Sequence, residues 1–440
     1  MKSRLTRTAG IVATALILSL PLHAAVAENS AEEPLTLEKS IQLVRDNSPF
    51  LKAAAEEITA ADARVTKSRS AWFPQISANA GYTYLDPVSE VNFTGTPFKF
   101  MPNNNYDAKV TARSTILDFG KRGNSVDVAL SGKKSAEYSL EISRRELSWQ
   151  TVQLFYGILF LRESIRVEEK EIEALNKALD YAKKRYQAGA ATQFDLLSTE
   201  VRIAAARSRA LDLKHVLRRN ELTLCRLTGL ADNSLVKLQG SFVVTPEVSK
   251  ESELVAQAVQ ERLELKLSRE GENAAKKQRS LAMKAGMPVV TGSISYGTTN
   301  GFQPDMNEMR KNFAGGVHLE IPLFTGFRNS AERQEATALM HAATQRRLDT
   351  EQQAKTDVEA TLDALQTSSK KIVTSEAQVK QAELAAEHAR ARYVNGMATT
   401  LDLLDTEASL SQAELAKLQA TYEYVMNGYT LKRVTGEIFW

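Results

Sequence analysis

With one cysteine, Cys225, among 440 residues, the chain can form no intrachain disulfide. Long apolar runs are also missing. Beyond the N-terminal segment the longest is Leu154 to Leu161, far short of the ~20 residues a membrane helix requires. A mature chain of this kind that enters a membrane must do so as a closed β-barrel. Histidine is scarce, and His215, His318, His341 and His388 stand far apart, none in an HExxH pattern. FGKRGN at 119–124 lacks the glycine spacing of a phosphate loop, and no nucleophile elbow occurs. The reading is therefore no enzyme, no cofactor and no metal site.

An excess of charge of one sign is missing too. The chain carries 56 Lys and Arg against 53 Asp and Glu. Three of the basic residues, Lys2, Arg4 and Arg7, precede an apolar stretch from Ile11 to Leu22 and a small-residue site at Ala25-Val26-Ala27. This pattern predicts a secretory signal peptide over 1–27, with the mature chain starting at Glu28. Removing it leaves a formally neutral protein, and with no clustered basic face nothing points to a nucleic-acid partner.

What is present is a duplication. Residues 185–229 and 392–436 align without a gap at an offset of 207, with 18 of 45 positions identical. SAWFPQISANAGYTY (70–84) aligns with KAGMPVVTGSISYGT (284–298), and LDFGKR (117–122) with LFTGFR (323–328). Two repeats follow, 28–240 and 241–440, each reading helix, two strands, long helix, turn, helix. No Gly or Pro falls between Gly326 and Gly396, which predicts one helix of about 69 residues, ~100 Å long. The first repeat predicts its equivalent from Lys121 to Gly189. Shorter helices are predicted at about 35–72, 192–229, 251–285 and 399–435. Helices this long imply coiled-coil-like packing against one another.

Four segments, about 75–87, 106–118, 289–300 and 312–323, alternate with period two instead. Ile76, Ala78, Ala80, Tyr82 and Tyr84 point one way, and Gln75, Ser77, Asn79 and Thr83 the other. Tyr106, Ala108, Val110 and Ala112 likewise oppose Asp107, Lys109, Thr111 and Arg113. Ten-residue alternation with charges on the polar side is the pattern of an outer-membrane strand facing a wet lumen. Four strands cannot close a barrel, and open edges cannot face lipid. Three chains would supply twelve strands, so a homotrimer is the simplest assembly.

The duplicated halves, AWFPQISANAGYTY, IPLFTGFR and the two RYxxGxxTxxDLL turns together resemble the TolC-like outer-membrane efflux proteins over essentially the whole mature chain. The resemblance implies a mainly α fold: long antiparallel hairpins forming a trimeric α-barrel tunnel through the periplasm, continuous with a shared 12-stranded transmembrane β-barrel. It implies a passive channel of a tripartite efflux pump or type I secretion system in the outer membrane. Its partners would be outer-membrane lipid, a periplasmic adaptor and, through the adaptor, an inner-membrane transporter. The turns Gly189-Ala190-Ala191-Thr192 and Gly396-Met397-Ala398-Thr399 become hairpin tips that dock the adaptor. Gly189 and Gly396 suit a positive φ, and Thr192 and Thr399 suit helix N-caps, with Asp195 and Asp402 three residues on.

By the same resemblance Asp402 and Asp405, spaced i, i+3 on one helical face, line the entrance constriction. Six such carboxylates in a trimer would attract cations and raise one another's pKa. Ser198 stands in the first repeat where Asp405 stands in the second. Tyr393 and Asp195 match a tyrosine–aspartate link that holds the tips closed. A basic residue that braces this region in the best-known member of the family is replaced here by Ala398. The competing readings are a periplasmic coiled-coil scaffold or adaptor, against which the four strands count, and a secreted hydrolase, for which no site exists.

Overall fold

The structure is a computed structural model that describes residues 34–93, 95–230, 238–242 and 250–439. The expected signal peptide over 1–27 lies outside the described residues, and the repeat boundary expected near 240 falls between two segments outside them.

Helices dominate. The long helix of the first half is α3 (Lys121–Gln187) and that of the second is α7 (Arg328–Val394), each of 67 residues. Each turns back into a helix of 36 residues, α4 (Gln193–Thr228) and α8 (Thr400–Thr435). Every one of these bounds in the second half lies 207 residues beyond its counterpart in the first. Gly229 and Gly436 end the returning helices at φ 76° and 79°.

Two predicted helices are broken. The helix expected over 35–72 divides into α1 (Leu37–Asn47) and α2 (Pro49–Arg69), with a short 3-10 turn at Ser70–Trp72. Pro49 has no amide hydrogen to continue α1 and takes the first turn of α2, where none is needed; the Ser48 side chain caps the new start by accepting from the Leu51 amide at 3.4 Å. The helix expected over 251–285 divides into α5 (Glu251–Glu261) and α6 (Leu263–Met283) at Arg262, whose backbone is extended. No proline marks that break. Nothing in the local sequence signals it.

The strands are β1 (Gln75–Tyr84), β4 (Asn104–Leu117), β5 (Val289–Thr299) and β6 (Arg310–Glu320). They form one antiparallel sheet in the order β1-β4-β5-β6, so the β4–β5 pairing stitches the two halves together. A two-stranded hairpin, β2 (Glu90–Phe93) and β3 (Thr96–Lys99), sits in the β1–β4 connection and was not expected. The register aligns the alternation across all four strands. Ala78, Val110, Tyr296 and Phe313 form one row, and Asn79, Lys109, Gly297 and Asn312 the next. The sheet thus has an apolar and a polar face, and β1 and β6 are left as open edges. Within one chain the apolar face is uncovered: Phe313 and Val317 are each 71% exposed. Among the described residues no helix is long and apolar enough to cross a membrane.

Each hairpin packs on itself, α3 on α4 and α7 on α8, and α3 also packs on α8. The lateral order is α4-α3-α8-α7, with α4 and α7 outermost. Nearer the sheet, Leu37, Ile41, Val152, Phe155, Tyr156 and Val425 form a core joining α1, α3 and α8. Beside it lies Arg145 of α3, 1% exposed, whose guanidinium donates to the Glu264 carboxylate of α6 at 2.5 and 3.0 Å and to Glu146 at 2.7 Å. Arg433 of α8 closes onto Glu146 at 2.9 Å. This network ties α3, α6 and α8 together. Burial pushes the Glu264 carboxyl up, but the hydrogen bonds and charge of Arg145 outweigh it and hold it down at about 2.

Candidate functional site: the hairpin tips

The two tips fold alike because their residues are alike. Gly189 and Gly396 lie at φ 73° and 76°, a left-handed conformation that a side chain would strain. Their amides bond back to the Tyr186 and Tyr393 carbonyls at 3.0 and 3.1 Å. One residue on, the amides of Ala190 and Met397 reach the carbonyls of Arg185 and Arg392 at 2.8 Å. These bonds close each long helix with a left-handed cap. Arg185 and Arg392 also return their guanidinium groups to the Ala190 and Met397 carbonyls, both at 3.2 Å. The arginine of RYxxG therefore braces its own tip, a role not assigned from sequence. The signal was its presence in both turns.

Thr192 and Thr399 are N-caps. Each hydroxyl accepts from the backbone amide three residues on, while the carboxylate of Asp195 or Asp402 accepts from the threonine amide, a reciprocal capping box. The amide of Thr192, and then its hydroxyl, hold Asp195 below the usual carboxylate range, and Thr399 does the same to Asp402. A raised pKa was expected from crowding by three copies. Within one chain the cap acts in the opposite direction.

The segment Asp402-Leu403-Leu404-Asp405 divides cleanly by face. Leu403 and Leu404 are buried, Leu404 against Leu175 of α3 and Ile203 and Ala206 of α4, and Leu403 against Ala178 and Tyr393. Both aspartates stay exposed. Asp405 is not bare, however: Arg202 of α4 donates to its carboxylate at 2.6 Å. Sequence reasoning missed Arg202, since nothing local couples a residue of one repeat to the other.

Tyr393 is 1% exposed, and its hydroxyl lies 3.3 Å from that of Thr400. Thr400 also lies close enough to Asp195 to help hold its carboxyl down, after the Thr192 amide and hydroxyl. The hydrogen bond thus runs from Tyr393 to Thr400, a residue not singled out from sequence, and not from Tyr393 to Asp195, whose carboxylate is engaged by its own cap. The Arg185 guanidinium lies 5.1 Å over the Tyr393 ring, and Ala398 packs against the same cluster. Ala190, Ala191 and Met397 complete the tips, with Met397 62% exposed.

The outermost helices carry unpartnered apolar stripes that lead away from the tips. On α4, Phe194, Leu197, Val201, Leu211 and Leu222 are exposed at positions of one alternating 3–4 spacing. On α7, Val394, Leu384 and Val373 fall on a second such spacing. Such spacing is the seam of a coiled coil without its partner.

A family model described as "Outer membrane efflux protein" matches residues 40–230 and 254–437. Outer membrane protein TolC of Vibrio cholerae is 24% identical over 443 residues, covering 95% of each protein. Alkaline protease secretion protein AprF of Pseudomonas aeruginosa is 24% identical over 409 residues, covering 89% of this chain and 82% of that protein. The crystal structure of the outer membrane protein VceC from Vibrio cholerae superposes with a TM-score of 0.78 at 22% identity, over 91% of this chain and 96% of that one.

Proposed function

The chain belongs to the outer membrane efflux protein family, and from that premise we propose that it is the outer-membrane channel of a tripartite efflux pump or type I secretion system. It conducts cargo from the periplasm to the exterior without transforming it. One observation carries the reading. A four-stranded sheet with one charged face, one apolar face and two open edges is a barrel wall waiting for its remaining strands. Three copies give twelve strands, lipid outside and water within. The unpartnered seams on α4 and α7 support the same assembly, because α4 of one copy and α7 of the next would each cover the other's exposed leucines and valines.

In that homotrimer the six helical hairpins, one from each repeat (28–240 and 241–440) of each chain, make the periplasmic tunnel. Asp402 and Asp405 line its entrance, and Tyr393 with Asp195, beside Thr400, holds the tips together. The exposed turns Gly189–Thr192 and Gly396–Thr399 dock a periplasmic adaptor, which links the channel to an inner-membrane transporter. Family membership favours this reading over a periplasmic scaffold or adaptor. Fractionation and reconstitution test it. The protein should pellet with outer membrane, resist carbonate extraction, crosslink in detergent no further than a trimer, and conduct in planar bilayers. A monomer that conducts by itself, or a trimer released by carbonate, refutes the proposal.

A further inference from the structure

We propose that Arg202 is a clasp between the two hairpins that both restrains the entrance and masks the charge of Asp405. This rests on the channel reading above, and it concerns a bond that joins one repeat to the other. Arg202 lies on α4 and Asp405 on α8, with Nη2 to Oδ1 at 2.6 Å. Among the described residues each is the other's only charged partner. The remaining ion pairs near the tips sit elsewhere. Arg209 to Glu168 and Glu171 ties α4 to α3, and Arg390 to Glu407 ties α7 to α8, so both stay inside their own hairpins. Lys170 to Glu414 crosses between hairpins further from the tip at 3.4 Å.

The clasp is asymmetric by sequence. Ser198 occupies the first-repeat position that matches Asp405, so each chain has one carboxylate at this level and one guanidinium to meet it. It is also breakable. Side-chain exposures of 37% and 58% leave both groups within reach of water, so separation strands no buried charge. The bond weakens steeply beyond about 3.5 Å, and a slide of about 1 Å between α4 and α8 releases it. The buried Leu404 seam beside it rests on Ile203 and Ala206, and apolar burial, being non-directional, does not itself fix the distance between the two charged groups. While the hairpins rest together, Asp405 is neutralised. When they part, Asp405 joins Asp402 as an uncompensated carboxylate at the aperture. Opening and cation preference are thereby coupled through one arginine.

The test uses the full-length protein in planar bilayers under a KCl gradient, comparing wild type with Arg202→Gln, Asp405→Asn and the exchanged pair Arg202→Asp with Asp405→Arg. Losing an exposed ion pair shifts an equilibrium about two-fold, and three pairs around one aperture shift it roughly tenfold. Both single variants should therefore open more, by about that factor. Only Arg202→Gln should also move the reversal potential toward cations, because it removes a positive charge beside Asp405 and keeps the carboxylate, whereas Asp405→Asn removes the carboxylate and keeps the arginine. The exchanged pair should restore wild-type opening. Amide hydrogen exchange over residues 193–205 and 400–410 reads the clasp without any conduction: faster exchange in Arg202→Gln and recovery in the exchanged pair uphold it. Unchanged exchange in Arg202→Gln overturns the clasp, as do equal reversal potentials in the two single variants. Absence of conductance from wild type would instead refute the channel reading, while the exchange data still decide the clasp.

Discussion

Replacing Arg145 with methionine should be the most damaging single change outside the sheet. Its guanidinium is almost wholly buried and forks onto Glu264 and Glu146, so removing it leaves Glu264, among the described residues, with the Arg262 Nε at 3.3 Å as its remaining cationic partner. The Glu264 carboxyl is held at about 2, against 4.5 for a free glutamate. At about 1.36 kcal/mol per unit that gap corresponds to about 3 kcal/mol. Side-chain exposure of 32% calls for a discount for screening, which brings the charge contribution to about 1–2 kcal/mol. Stranding a partner of a fully buried pair costs ~3–5 kcal/mol. With Glu264 only partly buried, the total loss for Arg145→Met at neutral pH should be about 2–3 kcal/mol. Methionine retains most of the apolar stem, so packing contributes little to the difference. The pH dependence separates charge from packing. A carboxyl with a depressed folded-state pKa stabilises fully above its unfolded value and loses that stabilisation as pH falls from about 4.5 to about 2. Guanidinium denaturation followed by far-UV circular dichroism at about pH 7 and about pH 3 should therefore show the gap between variant and wild type shrinking as the wild type weakens. A gap below about 0.5 kcal/mol at pH 7, or one of equal size at both pH values, refutes this reasoning.

The two faces of the sheet offer a paired test. Val110→Arg places a charge on the apolar face, at ~2–4 kcal/mol near a bilayer midplane, and should remove the protein from the outer-membrane fraction, whereas Thr111→Arg on the polar face should leave assembly intact. Equal recovery of the two variants in outer membrane would mean the faces are misassigned. At the first tip, Thr192→Val removes the hydroxyl that accepts from the Asp195 amide at 3.3 Å and should cost about 1 kcal/mol of local stability. Amide exchange over the first turn of α4 reads that loss. In the wild type the carboxylate part of the capping box should persist at neutral pH and fail as acid protonates Asp195, below the ordinary aspartate range.

The linear pattern was sufficient for everything periodic or repeated. A stretch free of breakers from 327 to 395 dictated α7, and period-two alternation dictated both the strands and their faces. The duplicated RYxxGxxTxxDLL motif dictated two tips with the same left-handed glycine and the same capping box, because turns and caps are made by residues three to five apart. Proline at 49 could have foretold the α1–α2 break. The break at Arg262 has no such local cause.

Contacts between the repeats were decided only in three dimensions. Tyr186 and Tyr393 hold equivalent places in one motif, yet Tyr186 is 46% exposed and Tyr393 is 1% exposed. The difference arises because Tyr393 turns inward onto Leu403 of α8 and Ala178 of α3, so the neighbouring hairpin covers it, while Tyr186 has no such cover among the described residues of the chain. The same placement turns Asp405 from a bare surface charge into the partner of Arg202, two residues separated by 203 positions. It also sets the Thr400 hydroxyl 3.3 Å from that of Tyr393. Local sequence sets which face of each helix is apolar and where each helix stops. Which of two like faces is covered depends on the neighbouring helix, and that follows from how the whole chain packs.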